Sequence, residues 1–230
     1  VAAEGLVCIS EKDNNFSIIE VNSETDFVAK NNDFIFFVEE ISELALLNSG
    51  KMENIVNADM KNKKKVNENL VSLIAKIGEK ITLRRSDYFR SEKTVNFSYT
   101  HSATKKNLGK IGVLTSIETN KKKEDLLEFG KQLSMHIAAT SPLSVDKEGL
   151  DQNILKKEKE IIIEQLKNSG KDDKIVEKIS LGKLNKFISD NTLLNQEWIM
   201  EPKKKVKDII KEVSGTDSLI IKKFVRFKVG

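Results

Sequence analysis

A chain of 230 residues can bury a sizeable core, as one large domain or as two or three small ones. Its 39 basic and 35 acidic side chains leave a net charge of +4, too small an excess to signal nucleic-acid binding by itself. The single cysteine, Cys8, excludes a disulfide within the chain and fits a reducing compartment, and no apolar run approaches the ~20 residues of a membrane span. Val1-Ala2-Ala3 has no signal-peptide character and reads as the start of a fragment or a joined segment.

Residues 5–10 and 16–22 are short β-type runs separated by the turn composition Glu11–Asn15, which predicts a hairpin. Cys8 falls within the first run and reads as a small buried apolar side chain rather than a nucleophile. A helix is expected over 33–48, where Phe34, Val38, Ile41 and Ala45 recur at helical spacing, with Asn31, Asn32 and Asp33 as capping residues and Ser49-Gly50 as its stop. A second helix is expected over 64–76, stopped by Gly78. Strands Lys80–Phe89, Thr94–Thr100 and Ile111–Glu118 follow, then a helix from Glu124 to Ala139 before Pro142. Strands followed by a helix thus occur twice, and the junctions Ser23–Asp26 and Ile117–Asn120 rhyme weakly, which suggests a duplicated α+β unit.

Residues 146–168 and 172–190 are two highly charged helical runs. Leu150, Ile154, Ile161 and Leu166 would line one side of the first; Ile175, Ile179, Gly182 and Phe187 would line the second. A connector as short as Ser169–Lys171 implies an antiparallel pair with a narrow apolar seam, inserted before strand character resumes. A short helix over 203–213 and a final strand over Leu219–Val229 complete the pattern.

Little in the chain supports covalent chemistry. It has no Gly-rich phosphate loop, no paired-cysteine zinc spacing and no hydrolase or metalloprotease motif. His101 and His136 have no partners at ligand spacing; His136 suits a helix beside the core and His101 a solvated loop. The lysine runs at 61–65, 121–123 and 203–205 each border a predicted helix and lack interleaved aromatics for base stacking, so they read as solvated helix ends. The segment Thr25–Asn31 stands out, because an acid and a large aromatic occupy what should be an exposed turn. Local chemistry leaves two readings level: a helix start with Thr25 or Asp26 as cap and Phe27 as an inward staple, or a protruding contact.

An ordered set of segments resembles the translation elongation factor Ts family. These are Ile19–Lys30, Leu73–Glu79, Ile81–Arg85, His101 with Gly109–Leu114, Met135–Ala139 with Pro142, Trp198–Pro202, and Phe224–Gly230. They cover nearly the whole chain in the family's order. Three departures stand out: the chain begins after the small ubiquitin-associated-type domain that usually opens the family; it stops at the last core strand; and its Ser102–Leu108 loop is longer than the compact turn expected there.

The resemblance implies an α+β fold of two related antiparallel-sheet/helix core subdomains, with an inserted antiparallel helical hairpin that serves as a coiled coil. The corresponding boundaries are 1–93 for the first subdomain, 94–145 and 196–230 for the second, and 146–195 for the insertion. It also implies a guanine-nucleotide exchange factor, not an enzyme, that binds elongation factor Tu and promotes GDP release by disturbing the Mg²⁺/phosphate site. By that likeness Phe27 is a wedge, Asp26 seats it, and Thr25 and Val28 shape the turn. Ile77, Gly78, His101, Ile199 and Met200 would be further partner contacts, with core packing as the alternative for Ile77 and Ile199. No cofactor, bound metal, direct nucleic-acid contact or membrane contact is expected. A homodimer through the hairpin is compatible, and the expected location is the cytoplasm or an organelle with bacterial-type translation. The competing class is a basic RNA- or ribosome-associated binding protein using the lysine runs.

Overall fold

A computed structural model describes residues 4–167, 170 and 172–230; the expected helix stop at Ser169, like Val1–Ala3, lies outside the described residues. The elements run β1 (Glu4–Lys12), β2 (Asn15–Ser23), α1 (Asp26–Ala29), α2 (Asn32–Leu47), α3 (Met52–Asn57), α4 (Val66–Ile77), β3 (Thr82–Phe89), β4 (Thr94–His101), β5 (Leu108–Gly109), β6 (Ile111–Thr119), α5 (Leu127–Thr140), α6 (Gln152–Lys167), α7 (Asp173–Asn191), β7 (Glu197–Trp198), β8 (Glu201–Lys205), α8 (Val206–Ser214) and β9 (Leu219–Lys228). The class is the α+β one expected, with every paired strand antiparallel. The chain divides into two compact units, residues 1–139 with 218–230, and residues 140–217.

The first unit contains a sheet ordered β3-β2-β1-β5 and a second ordered β4-β6-β9. The near-continuous apolar runs of β1 and β2 have a simple cause: both faces of their sheet are covered. Leu6, Cys8, Ile19 and Val21 point to one side, where Phe34, Val38, Ile41 and Ala45 of α2 form a core with Ile55, Val66 and Leu73. Val7, Ile9, Phe16 and Ile18 point to the other, against Leu114 and Phe227 of the second sheet and Val229 just past its end. Helix α5 lies on the outer face of that second sheet, where Gly130 meets the Phe97 ring and Ser134 Oγ is 2.8 Å from Thr115 Oγ1.

In the second unit α6 and α7 pack on each other, but the seam differs from the expected one. Ile162, Leu166 and Val176 are buried together with Ile179 and Leu184 against them, whereas Ile161 and Ile175 are about half exposed. Leu150 is buried outside the helix, since α6 begins only at Gln152. Ile161-Ile162-Ile163 is the reason: three consecutive isoleucines do not define a phase, and the fold uses the middle one. The lysines at 203–205 belong to a strand, β8, so α8 starts at Val206.

Candidate functional site

Strand β2 ends at the fully buried Ser23, whose hydroxyl donates to the Thr25 carbonyl at 3.0 Å and starts the turn. Thr25 takes the extended conformation of a helix N-cap, yet its side chain does not cap. One short turn, α1, follows. Val28 and Ala29 are buried at 4% and 3% exposure and anchor it, while Phe27, on the opposite side, is 78% exposed. No large apolar side chain is more exposed among the described residues, so the inward-staple reading is not what the fold adopts. The turn closes through Lys30 N–H to Phe27 C=O at 3.2 Å and Asn31 N–H to Val28 C=O at 2.9 Å. Asn31 Oδ1 then accepts from the amides of Asp33 and Phe34, capping α2. Phe27 therefore projects from a segment fixed at both ends.

The charges around this tip alternate in sign. Asp26 Oδ2 is 2.7 Å from Lys30 Nζ, one helical turn on, and the Lys30 ammonium holds the Asp26 carboxyl below its usual value while the carboxylate raises Lys30. Lys110 also acts on Asp26, and Glu4 on Lys30; Lys110 Nζ and Glu4 Oε2 are themselves 2.7 Å apart. Through its own amide Lys110 donates to the His101 carbonyl at 3.2 Å. His101 is thus the last residue of β4, exposed, with its Nδ1 3.1 Å from the Tyr99 hydroxyl.

Ile77 and Gly78 come close to the tip through side-chain bonds beyond the end of the β2–β3 pairing. Gly78 ends α4 in the left-handed conformation, φ 81°, where its amide donates to Ile74 C=O at 2.8 Å and an added Cβ would meet nothing within 4 Å. Ile77 is half-buried against the α2 core, and Gly78 is exposed. The chain then turns so that Glu79 Oε2 accepts from the Thr25 amide at 3.1 Å and Glu79 Oε1 from the Thr25 hydroxyl at 2.8 Å. Lys80 N–H donates to Glu24 Oε2 at 3.1 Å. Thr25, Asp26, Phe27 and Val28 are thereby joined to Ile77 and Gly78 in one region. Ile199 and Met200 lie in the other compact unit, at the two-residue turn between β7 and β8, each 39% exposed beside the buried Trp198. His136 is fully buried in α5.

Sequence reasoning missed Glu24, Glu79, Lys30 and Lys110. Glu79 directly follows Ile77-Gly78, but placing it opposite Thr25 needs the register of β2 against β3 after the shift at Glu20–Val21, which the sequence does not announce. Among the described residues no group of three or more His, Cys, Asp or Glu side chains is arranged to hold a metal ion. Some lysines of these runs are paired locally: Lys61 with Glu43, Lys65 with Asp59, Lys204 with Glu201 and Glu212. Lys123 stacks over Phe16 and Phe97, where burial lowers its pKa.

The family model described as "Elongation factor TS" matches residues 24–230. Curated relatives carrying the name "Elongation factor Ts" include those of Methylorubrum extorquens (strain PA1), 40% identical over 233 residues covering 100% of this chain and 76% of that protein. Others are those of Maricaulis maris (strain MCS10), 39% identical over 236 residues with 100% and 75% coverage, and Rickettsia massiliae (strain Mtu5), 38% identical over 233 residues with the same shares, 100% and 75%. With the family model taking in the exposed Asp26–Phe27 turn and the Gly78 helix end, and relatives about 40% identical over the whole chain, the chain belongs to the elongation factor Ts family.

Proposed function

We propose that this protein acts in translation elongation as a guanine-nucleotide exchange factor for elongation factor Tu, binding the GDP-loaded GTPase and speeding GDP release. The observation that carries the reading is Phe27, a large apolar side chain 78% exposed on a segment anchored from below. Such a side chain has little value to the free protein and considerable value when it enters a partner. In this reading Phe27 is pushed between elements of the GTPase near its Mg²⁺, and Asp26 makes the polar contacts that seat it. Magnesium neutralises phosphate charge and is held by few protein groups, so small shifts around it weaken it. GDP then faces uncompensated charge and leaves faster. No covalent step is involved, and linkage requires that a partner preferring the nucleotide-free state weaken nucleotide binding by the same factor.

Gly78 extends the contact beside the tip, His101 adds one from the second sheet, and the Ile199–Met200 turn adds an apolar patch that Met makes adaptable. The 146–195 region would serve as the family's coiled-coil insertion, set within the second core half of 94–145 and 196–230, with 1–93 as the first half. Replacing Phe27 by Ala tests the wedge. Burying a Phe side chain contributes about 1.5–3 kcal/mol, and with 78% of it exposed about 1.2–2.3 kcal/mol remains to be gained on binding. GDP release monitored with a fluorescent nucleotide should slow roughly 7- to 50-fold, at 1.36 kcal/mol per tenfold, with the fold intact. Unchanged release from an intact complex would refute the wedge.

A further inference from the structure

We propose that Glu79 is a positioning residue for the Asp26–Phe27 tip, placed there by a β-bulge opposite Glu20; the proposal rests on the exchange-factor reading above. In the β2–β3 pairing Phe16 faces Phe89, and the register holds to Glu20 facing Arg85. It then jumps, with Val21 facing Leu83 and Asn22 facing Thr82, so Arg84 is the extra residue of a bulge. Glu20 occupies the kink, accepting from Arg84 Nη1 at 2.9 Å and Arg85 Nε at 2.6 Å.

The shift decides what meets the tip. Extended past Asn22–Thr82, the bulged register sets Glu24 opposite Lys80 and Thr25 opposite Glu79. The unbulged register would have set Thr25 opposite Lys80, with no carboxylate. The observed bonds follow the bulged register beyond the end of the strands: Lys80 N–H to Glu24, and both Thr25 donors to Glu79. Side chains thus continue a ladder that the backbone has stopped. Gly78, in its left-handed conformation, supplies the turn that brings residue 79 into this register.

The tip needs such a hold. Helix α1 is a single turn whose N-cap makes no capping bond, so nothing within the turn itself fixes its first end. Val28, Ala29 and the Asn31 cap fix the far end. At the near end, one residue before Asp26 and two before Phe27, Ser23 holds the Thr25 carbonyl, and Glu79 holds both Thr25 donors with charge-assisted bonds. Without it the tip would pivot about Val28, and small misplacements of a working group carry large rate penalties.

The test is the limiting rate of GDP release at saturating concentrations of this protein. A purely structural defect lowers the active fraction and shifts the half-saturating concentration, but leaves that limit unchanged. Glu79→Ala should lower the limit roughly 5- to 10-fold, part of the Phe27→Ala effect, because the tip loses part of its hold but keeps its side chain. Glu79→Gln, which keeps an acceptor oxygen, should recover part of it, and both variants should melt within a few degrees of the parent. The double variant Glu79→Ala/Phe27→Ala should release GDP no more slowly than Phe27→Ala alone. A parental limit for Glu79→Ala beside a slowed Phe27→Ala would overturn the positioning role while leaving the wedge standing. So would an undiminished Glu79→Ala effect in the Phe27→Ala background. No effect of Phe27→Ala at all would remove the wedge reading, and this proposal with it.

Discussion

Glu20 tests the account of the fold most severely, because it is a carboxylate with no exposed surface in the middle of a strand. It accepts from Asn22 Nδ2 at 2.9 Å, from Arg84 and Arg85, and from the Gly230 amide at 3.3 Å, while Arg85 also stacks over Phe227 and donates to the Lys228 carbonyl. One carboxylate therefore ties the bulge of the first sheet to the end of β9 in the second. Burial acts to raise its pKa, but the bonds from Asn22, Arg85 and Arg84 together outweigh burial and hold it below the ordinary value of 4.5. Replacing Glu20 by Ala leaves these donors without their acceptor. Orphaning a buried ion partner costs about 3–5 kcal/mol. Here Arg84 and Arg85 are 41% and 38% exposed, so water recovers part of the loss, leaving about 2–3 kcal/mol. At about 2–4 °C per kcal/mol the melting temperature should fall by roughly 4–12 °C at pH 7.

The pH dependence has a definite sign. A carboxylate whose folded pKa is depressed stabilises fully above the unfolded value and loses that contribution as pH falls through the folded one. The parent and Glu20→Ala should therefore differ by the same amount at pH 7 and pH 6, and converge progressively below pH 4.5. Thermal melts followed by circular dichroism across pH 3 to 7 measure this. A gap that stays constant down to pH 3, or one under about 1 °C at pH 7, would refute the assignment of Glu20 as the tie between the sheets.

Two further outcomes are expected. Burial pushes the Cys8 thiol up to about 11, so at pH 8 a thiol reagent should label it in denaturant and not in the native protein; rapid native labelling would contradict its placement in the α2 core. In Gly109→Ala the new Cβ would sit 2.7 Å from the His101 carbonyl oxygen and 3.0 Å from Ala103 Cα, so backbone must shift. Stability should fall by about 1–3 kcal/mol in urea titration and the His101 ring resonances should move; unchanged resonances would mean that the β4–β5 packing does not set His101.

The parts of the fold legible in the sequence are those whose own residues carry the signal. The β1–β2 hairpin follows from two apolar runs around a polar turn, and α2 from its spacing of Phe34, Val38, Ile41 and Ala45 behind Asn31. Elements without room for a period were missed: α3 spans 6 residues and β5 and β7 only 2 each, while the 4-residue α1 was offered only as one of two readings of its turn. The α6–α7 seam was right at Leu166 and Ile179 but misplaced at Ile161 and Ile175, because runs such as Ile161–Ile163 and Ile175-Val176 fit more than one face. At the site, Asp26 and Phe27 were conspicuous as types in the wrong place. Glu79 was not, because an acid after a helix-ending glycine is ordinary; its role depends on the register of β2 against β3, and that register depends on a bulge no single residue announces.

Strand β2 consequently has two duties in the first unit. All of Phe16–Ser23 is buried, so the strand cannot move without disturbing both cores, and the turn that leaves it inherits that rigidity. The tip itself contributes little to stability. Phe27 is exposed, and the Asp26–Lys30 pair lies in water, where an ion pair holds its partners weakly and exchanges them readily. On the proposed reading, Asp26 would leave Lys30 for donors on a partner with little resistance, while Glu79 and Val28 would keep its backbone in place. A wedge must be stiff where it is mounted and unconstrained where it makes contact. The division between the buried strand with its Glu20 and Glu79 ties and the exposed Asp26–Phe27 pair meets both conditions within twelve residues of sequence, 16–27, and the neighbouring segment 79–85.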